Sequence, residues 1–380
     1  MGLRAVSHAV QQRALMQLGY FTMPVHPAQR TIAETLREDL DAIVFAEALG
    51  FDEAFVGEHL TDGQETITSS LIFLAMLIPL TKRIRLGAGT VNLTHHHPLL
   101  VAAHVAMLDH LSGGRIILGL SAGALPTDAE ALGLSGEDRN RRFAEALDVL
   151  IACWEQAGSG ALDIRLPDNR FVVTTRTTAD ADTATGGLYA PLQKPHPELV
   201  GTIAAPQSVG AVHMGAKGLH PLSAPFVHPS LLSRHWDAYA FGCKQAHRVA
   251  DRAHWRVART IFVADSDEDV RRYAGVDGPY GHYFRTLARK LTRAGKAGAF
   301  DADGRALSQA PSLDDILATQ VISGTADEVA AHLLELQRMT GGFGRLMYAG
   351  IDWMAPELAR RSMELMATEV MPRVRAAASI

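Results

Sequence analysis

The sequence predicts an α/β protein built as a single (β/α)8 barrel with insertion loops. Three observations predict it. Strand-like and helix-like patterns alternate strictly from residue 16 to about residue 156, the order expected of parallel strands joined by crossover helices. Eight strand-like runs are complete by residue 351, the number that closes such a barrel. The first run lacks the G-x-G-x-x-G turn of a dinucleotide-binding sheet, which leaves an open doubly wound sheet as the second choice.

The elements follow in order. MQLGYFTM (16–23) is a short apolar strand, and TIAETLREDLDAIVFAEALG (31–50) has apolar residues at helical spacing with Gly50 as a stop signal. FDEAFVG (51–57) reads as a strand, and TITSSLIFLAMLIPL (66–80) as a helix up to Pro79. RIRLGAGTV (83–91) is a strand, followed by a helix over 98–111 with Pro98 in its first turn. RIILGLSAG (115–123) is the fourth strand, with a helix over 139–156 after it. Residues 158–190 are rich in Thr, Ala, Asp and Gly and lack periodicity, so a long loop or lid is expected over 158–196. Strands resume at 198–205, 219–223, 255–264 and 343–351. Between the last two lies a mostly helical excursion over 279–320, whose first part, 279–310, is a second lid candidate. Capped helices close the chain at 325–342 and 355–374. Residues 1–15 read as an extension and 16–378 as the barrel, with Met16 as an alternative start.

Composition narrows the function. The 380 residues are 47% hydrophobic and 20% charged, with a net charge of -5. A mildly acidic chain has no broad electrostatic claim on nucleic acid or on anionic membranes. The most apolar run, SLIFLAMLIPL (70–80), is too short to span a bilayer, and the N-terminus has no signal-peptide core. The myristoylation pattern fails at Val6. Two cysteines, Cys153 and Cys243, read as buried thiols in a reducing, cytoplasmic compartment.

Barrels of this kind place their chemistry at the C-terminal strand ends. That rule selects Met23, Glu58, His59, Asn92, Ser121, Ala205, Gln207, Ser208 and Trp353, with few carboxylates among them. Directly after Asn92 comes His95-His96-His97-Pro98. Three imidazoles invite a metal, but neighbours in such a run diverge, and the strand ends lack the converging Asp and His ligands of a metallohydrolase. A polar rim is the better reading, and no metal is expected. RLGAGTVNL and GLSAGA put glycines inside two adjacent strands. They admit either a planar ligand close to the backbone or bulky neighbours in the barrel. Two such strands in succession favour the ligand.

These residues resemble the luciferase-like flavin-dependent monooxygenases, and within them the branch of limonene and diketocamphane monooxygenases. The similarity runs from about Gln17 to Val374. It rests on FDEAFVGEHL, on IRLGAGTVNLTHHHPLLVAAHVAMLDHLSGGRIILGLSAG, and on RRFAEALDVLIACW, QKPHPEL and SMELMATEVMP.

The resemblance implies a two-component monooxygenase. Reduced FMN from a separate flavin reductase would react with O2 to a C4a-(hydro)peroxide and oxygenate a hydrophobic ketone, terpene or aldehyde. It implies His59 as the catalytic residue and a cis peptide at Gly89–Thr90 under the flavin ring. Asn92 would bond the ring edge, with Glu58 and Ser121 in the cofactor-binding set. The segment Ala204 to Ser208, including Ala205 and Gln207, would hold the phosphate at a helix N-terminus. Where luciferase's α-chain has a phosphate-binding arginine this sequence has Ala122, and Asn140 stands where some relatives have a tyrosine, which implies weaker FMN binding. Phe21, Met23, Phe226 and Trp353 give the mouth an apolar lining. Relatives of this kind form homodimers through their first helices. A deazaflavin-dependent oxidoreductase and a non-catalytic flavin-binding protein remain alternatives.

Overall fold

The computed structural model describes residues 16–378, so the expectation for residues 1–15 lies outside the described residues. Eight parallel strands close into a barrel: β1 Gln17–Thr22, β2 Glu53–Val56, β3 Arg85–Ala88, β4 Ile116–Ser121, β5 Glu198–Ile203, β6 His220–Ser223, β7 Arg256–Val263 and β8 Arg345–Gly350. Closure is explicit, because β7 pairs with both β6 and β8, and β8 pairs with β1. An open sheet is thereby excluded.

The helices form where the periodicity places them, and local chemistry sets their ends. Thr31 and Glu34 make a reciprocal capping box at the start of Ile32–Ala48. Ser69 caps Ser70–Leu77, so the second helix begins four residues later than the pattern over 66–80 implies. Gly113, in the left-handed region at φ 69, ends the helix Pro98–Ser112.

Four features depart from the sequence reading. The third strand is broken after Ala88 and resumes as Val91–Asn92, which pairs with β4. A six-residue helix, Pro126–Ala131, follows β4. The aperiodic segment contains a small antiparallel pair, Asp163–Arg165 with Val172–Thr174. The tail of the second excursion is a strand, Val321–Gly324, that pairs with β7. The last two have strands of only three or four residues, which conceals them from a periodicity reading.

Inside the barrel a single apolar ring is packed from Phe21, Phe55, Ile117, Val200, Leu222, Ala258 and Met347. The strand glycines answer first to this ring. A Cβ on Gly87 would sit 2.8 Å from the Phe55 ring, one on Gly89 3.0 Å from Phe21, and one on Gly119 2.0 Å from the Ala88 carbonyl oxygen. Protein atoms take the space these glycines release. The glycine pattern therefore does not by itself mark a slot for a planar ligand, contrary to the sequence expectation.

Below the ring lies a charged floor. Arg256, fully buried, donates to Glu53 at 2.7 and 2.9 Å and to Glu198 at 2.8 Å. Arg345 reaches Glu53 at 2.5 Å and Arg85 reaches Glu198 at 2.6 Å. Above the ring, register carries the inward-facing positions to Gly57, Ser121, Ala224 and Ala349, all small. The barrel is thus filled at its base and middle and narrows to small side chains only at the C-terminal mouth.

Candidate active site

His59 sits three residues past the end of β2, with its backbone N–H bound to Ile67 O at 3.0 Å. It lines a narrow cleft with Met23, Pro24, Gly57, Glu58 and Glu65. Each ring nitrogen faces a carboxylate: Nδ1 is 3.5 Å from Asp128 Oδ2, and Nε2 is 3.4 Å from Glu65 Oε2. Burial alone would lower the imidazole pKa, but Asp128 and then Glu65 outweigh it and hold the ring above its ordinary value. Asp128 is fixed in turn by Leu60 N at 3.2 Å, Thr61 N at 2.8 Å and the Thr61 hydroxyl at 2.6 Å. Burial works against its charge, and His59 and these donors keep it well below the usual carboxylate range. Glu65 is the softer partner. Burial pushes its carboxyl up, and His59 and Lys290 offset that only in part. The result is an imidazole held toward its charged form by one firm anion and one pliable one, a group suited to giving and retaking a proton.

The strand ends beside it are sewn together by the residues expected to bind cofactor. Glu58 accepts from Ser70 N at 2.8 Å, Ser70 Oγ at 2.7 Å and Asn92 N at 2.9 Å. Burial would raise its pKa, but His96, Asn92 and Ser70 hold the carboxylate ionised. Asn92 Nδ2 donates to Glu58 O at 3.3 Å, and Ser121 Oγ donates to Asn92 Oδ1 at 2.9 Å. This chain ties β2, β3 and β4 at the mouth. Between them the Gly89–Thr90 peptide is cis.

The three histidines separate into three tasks. His97 caps the helix Pro98–Ser112 through Leu99 N and stands edge-on to Phe171 at 5.6 Å. His96 Nε2 lies 4.0 Å from Glu58. His95 packs against Gly123, where a Cβ would come within 2.8 Å of its Nε2. Two groups of His, Asp and Glu atoms do lie within 4.8 Å of one another, Glu198 with His220 and His254, and His26 with Glu38 and Asp352, but neither contains a member of the histidine run.

On the other side of the mouth, Ser208 caps the nine-residue helix Val209–Lys217, its Oγ accepting from Ala211 N at 3.0 Å. Ala204, Ala205 and Gln207 are exposed in the loop before it. The first turn leaves backbone N–H groups without intrahelical acceptors. His235, which burial lowers to about 4, lies with Nε2 2.9 Å from Ala205 O and so fixes this loop. Asn140 is exposed at the start of the helix Arg139–Glu155, with its N–H on Asp138. The preceding Arg139 donates to Gly123 O at 3.2 Å, which puts a cation near the end of β4 although residue 122 is alanine.

The four apolar mouth residues are distributed unevenly. Met23 lines the cleft, its sulfur lying where a Cβ on Gly57 would be only 2.5 Å away. Phe21 belongs to the packed inner ring. Phe226 is half-buried against Ala224, Val227 and Leu231 after β6. Trp353 is buried, with Arg360 4.7 Å over its ring and its backbone N–H donating to Glu38 Oε1 at 2.7 Å.

Asp128, Glu65, Lys290, His235 and Arg139 escaped the sequence reading. Asp128 sits on the unanticipated helix Pro126–Ala131, and Lys290 comes from the excursion. A single signal was available for the first: an acidic residue in the first turn after Pro126 is a helix-start pattern.

The sequence profile of luciferase-like monooxygenases matches residues 16–341. The chain is 33% identical to 4-hydroxyprotoasukamycin monooxygenase of Streptomyces nodosus subsp. asukaensis, over 94% of this chain and 92% of that one. It is 29% identical to limonene 1,2-monooxygenase of Rhodococcus erythropolis, over 94% and 86% respectively. Its fold superposes on the oxygenating constituent of 3,6-diketocamphane monooxygenase from Pseudomonas putida, solved in complex with FMN, with a TM-score of 0.83 at 24% identity, covering 95% of this chain and 99% of that one.

Proposed function

Since the chain belongs to the luciferase-like monooxygenase family, we propose that it is the oxygenase component of a two-component system. It uses reduced FMN from a separate flavin reductase, together with O2, to oxygenate a hydrophobic ketone, terpene or aldehyde. The observation that carries this reading is His59, set at the barrel mouth beside the cleft with a carboxylate on each ring nitrogen.

The residues present fit the cofactor. The N-terminus of Val209–Lys217 with the Ser208 hydroxyl suits a phosphate, Gln207 is exposed in the loop before it, and the Arg139 guanidinium sits on Gly123 O after the neighbouring strand β4. The small inward positions Gly57, Ser121, Ala224 and Ala349 leave room for a ring above the apolar floor. Bound reduced FMN supplies the two electrons with which O2 is divided between product and water. The protein does the rest. Phe21, in the packed inner ring, and Met23, in the cleft, would exclude water from the site. Asp128, 3.5 Å from Nδ1, and Glu65, 3.4 Å from Nε2, hold the charge of His59, which would give or hold a proton at the reacting oxygen. Trp353 is assigned to packing beneath Arg360 rather than to substrate.

Exposed apolar residues repeat at helical spacing on two neighbouring helices: Ile72 and Met76, then Leu100, Met107 and Leu111. Such a stripe is what a second copy of this chain would cover. Sedimentation would then read twice the 41.0 kDa chain mass, and a monomer would remove the proposal.

The decisive experiment is His59→Ala with reduced FMN and a panel of ketones, terpenes and aldehydes. Oxygenated product should fall by about 100-fold, the worth of a positioned acid–base group. FMN affinity should hold, and O2 uptake should continue with H2O2 as the product. A variant with the wild-type ratio of H2O2 to product would show that His59 is not the group. Binding of a deazaflavin in preference to FMN would favour the dehydrogenase alternative.

A further inference from the structure

The second excursion does more than cover the barrel. Its helix Pro279–Arg293 buries Tyr280, Tyr283, Phe284, Leu287 and Leu291 on one face. Tyr280 anchors it to β7 through Ile261 O at 2.5 Å. From the same helix Lys290 points back to the loop after β2, some 225 residues away in sequence. There its ammonium donates to Glu65 Oε1 at 2.7 Å and also to Asp62. Glu65 then presents its other oxygen to His59 Nε2 at 3.4 Å, and that oxygen has no hydrogen-bond partner among the described residues. Asp62 in turn holds the loop by accepting from Gln64 N at 3.0 Å and Glu65 N at 3.3 Å. Lysine, carboxylate and imidazole therefore form one line from the excursion to the cleft.

We propose that Lys290 is a positioning residue for His59: by gripping Glu65 and Asp62 it fixes the loop after β2 against the ring, so the acid–base group is complete only with this helix seated on the barrel. The inference rests on the reading of His59 as that group. Its physical basis is the cost of a lone buried charge. Glu65 is buried, and an isolated carboxylate there takes up a proton rather than remain ionised. His59 and Lys290 both oppose that uptake, and Lys290 does so through a direct hydrogen bond. The remaining charged or titratable groups around the ring are Asp128, which has its own donors, together with His95 and Glu58. None of these touches Lys290.

The test needs neither flavin nor substrate, so it can fail independently of the proposed reaction. The full chain, labelled at histidine, is titrated by NMR, with the His59 signal assigned by its loss in His59→Gln. Removing a nearby cation should, by simple repulsion, raise the imidazole midpoint. The proposed line predicts the opposite, because Glu65 would protonate and cease to hold the imidazolium. In Lys290→Met the midpoint should fall by about one pH unit. Lys290→Arg should restore it, since a guanidinium keeps both carboxylates paired. Glu65→Gln should give the same fall, and the double variant no more. A rise or no change in Lys290→Met, or an arginine variant that behaves like the methionine one, would overturn the proposal. Should Lys290→Met fail to fold, Glu65→Gln and Lys290→Arg decide it by the same criteria.

Discussion

The two ends of the barrel are built to opposite standards. At the base, Glu53, Glu198, Arg85, Arg256 and Arg345 satisfy one another with hydrogen bonds of 2.5 to 2.9 Å. Among the described residues, only His254 Nδ1 is left without a hydrogen bond there. At the mouth, His59 Nδ1, Glu65 Oε2, Thr202 Oγ1 and Thr260 Oγ1 are buried without a hydrogen bond among the described residues. Buried polar groups are costly when unpaired. A fold that completes its charges at one end and leaves them incomplete at the other separates the two tasks, stability below and chemistry above. The mouth nonetheless has one ion-paired cluster, in which only Asp352 Oδ1 lacks a hydrogen bond among the described residues. His26 lies between Asp352 at 2.6 Å and Asp39 at 3.2 Å, with Arg30 on the same Asp352 oxygen at 2.8 Å. It joins β1 to the loop after β8 and to the first helix, to one side of the cleft.

The largest expected effect breaks the base. Glu53→Gln leaves Arg256 buried with half its pairing lost, which should cost about 3–5 kcal/mol of stability, the usual penalty for an uncompensated buried charge. Urea denaturation measures it, while product formed per folded molecule should stay near wild type. A loss below about 1 kcal/mol, the scale of a surface pair, would show that the base is not the stabilising end.

The His26 cluster at the mouth gives a pH signature of somewhat smaller size. Burial opposes the charge on His26, yet Asp352 and Asp39 raise its pKa to about 9. The folded value lies above the unfolded one of about 6.5. Its contribution is therefore fully present below about pH 6.5 and is lost as pH rises through 9. About 3 kcal/mol should disappear across that window. His26→Gln should flatten this alkaline slope, and an unchanged slope would mean that the cluster does not titrate as a unit.

The smallest effect sharpens the reading of the mouth. Ser208→Ala removes a hydroxyl from the proposed phosphate site and should weaken FMN binding by about 1 kcal/mol, roughly fivefold. The same change removes a helix cap, so a modest loss of stability should accompany it. A fluorescence titration with unchanged FMN affinity would move the phosphate elsewhere on the mouth.

Much of this was legible before any coordinates. Alternation of period-2 and period-3.6 patterns depends on neighbours a few residues apart, so it specifies the eight strands, most helices and the strand-end position of His59 directly. Motif resemblance rests on the same local strings, which is why FDEAFVGEHL and the block ending in LGLSAG identify the family. The glycines of β3 and β4 show the limit of such reading, for a missing side chain looks the same whether a ligand or Phe55 fills the gap. What only the tertiary structure decided is which charges meet. Asp128 reaches His59 from a helix too short to announce itself, and Lys290 reaches Glu65 from an excursion with no motif. Their roles arise from proximity and from loss of water, and both are properties of the closed barrel: an aspartate or lysine in the chain carries no local mark of the partner it will be buried beside.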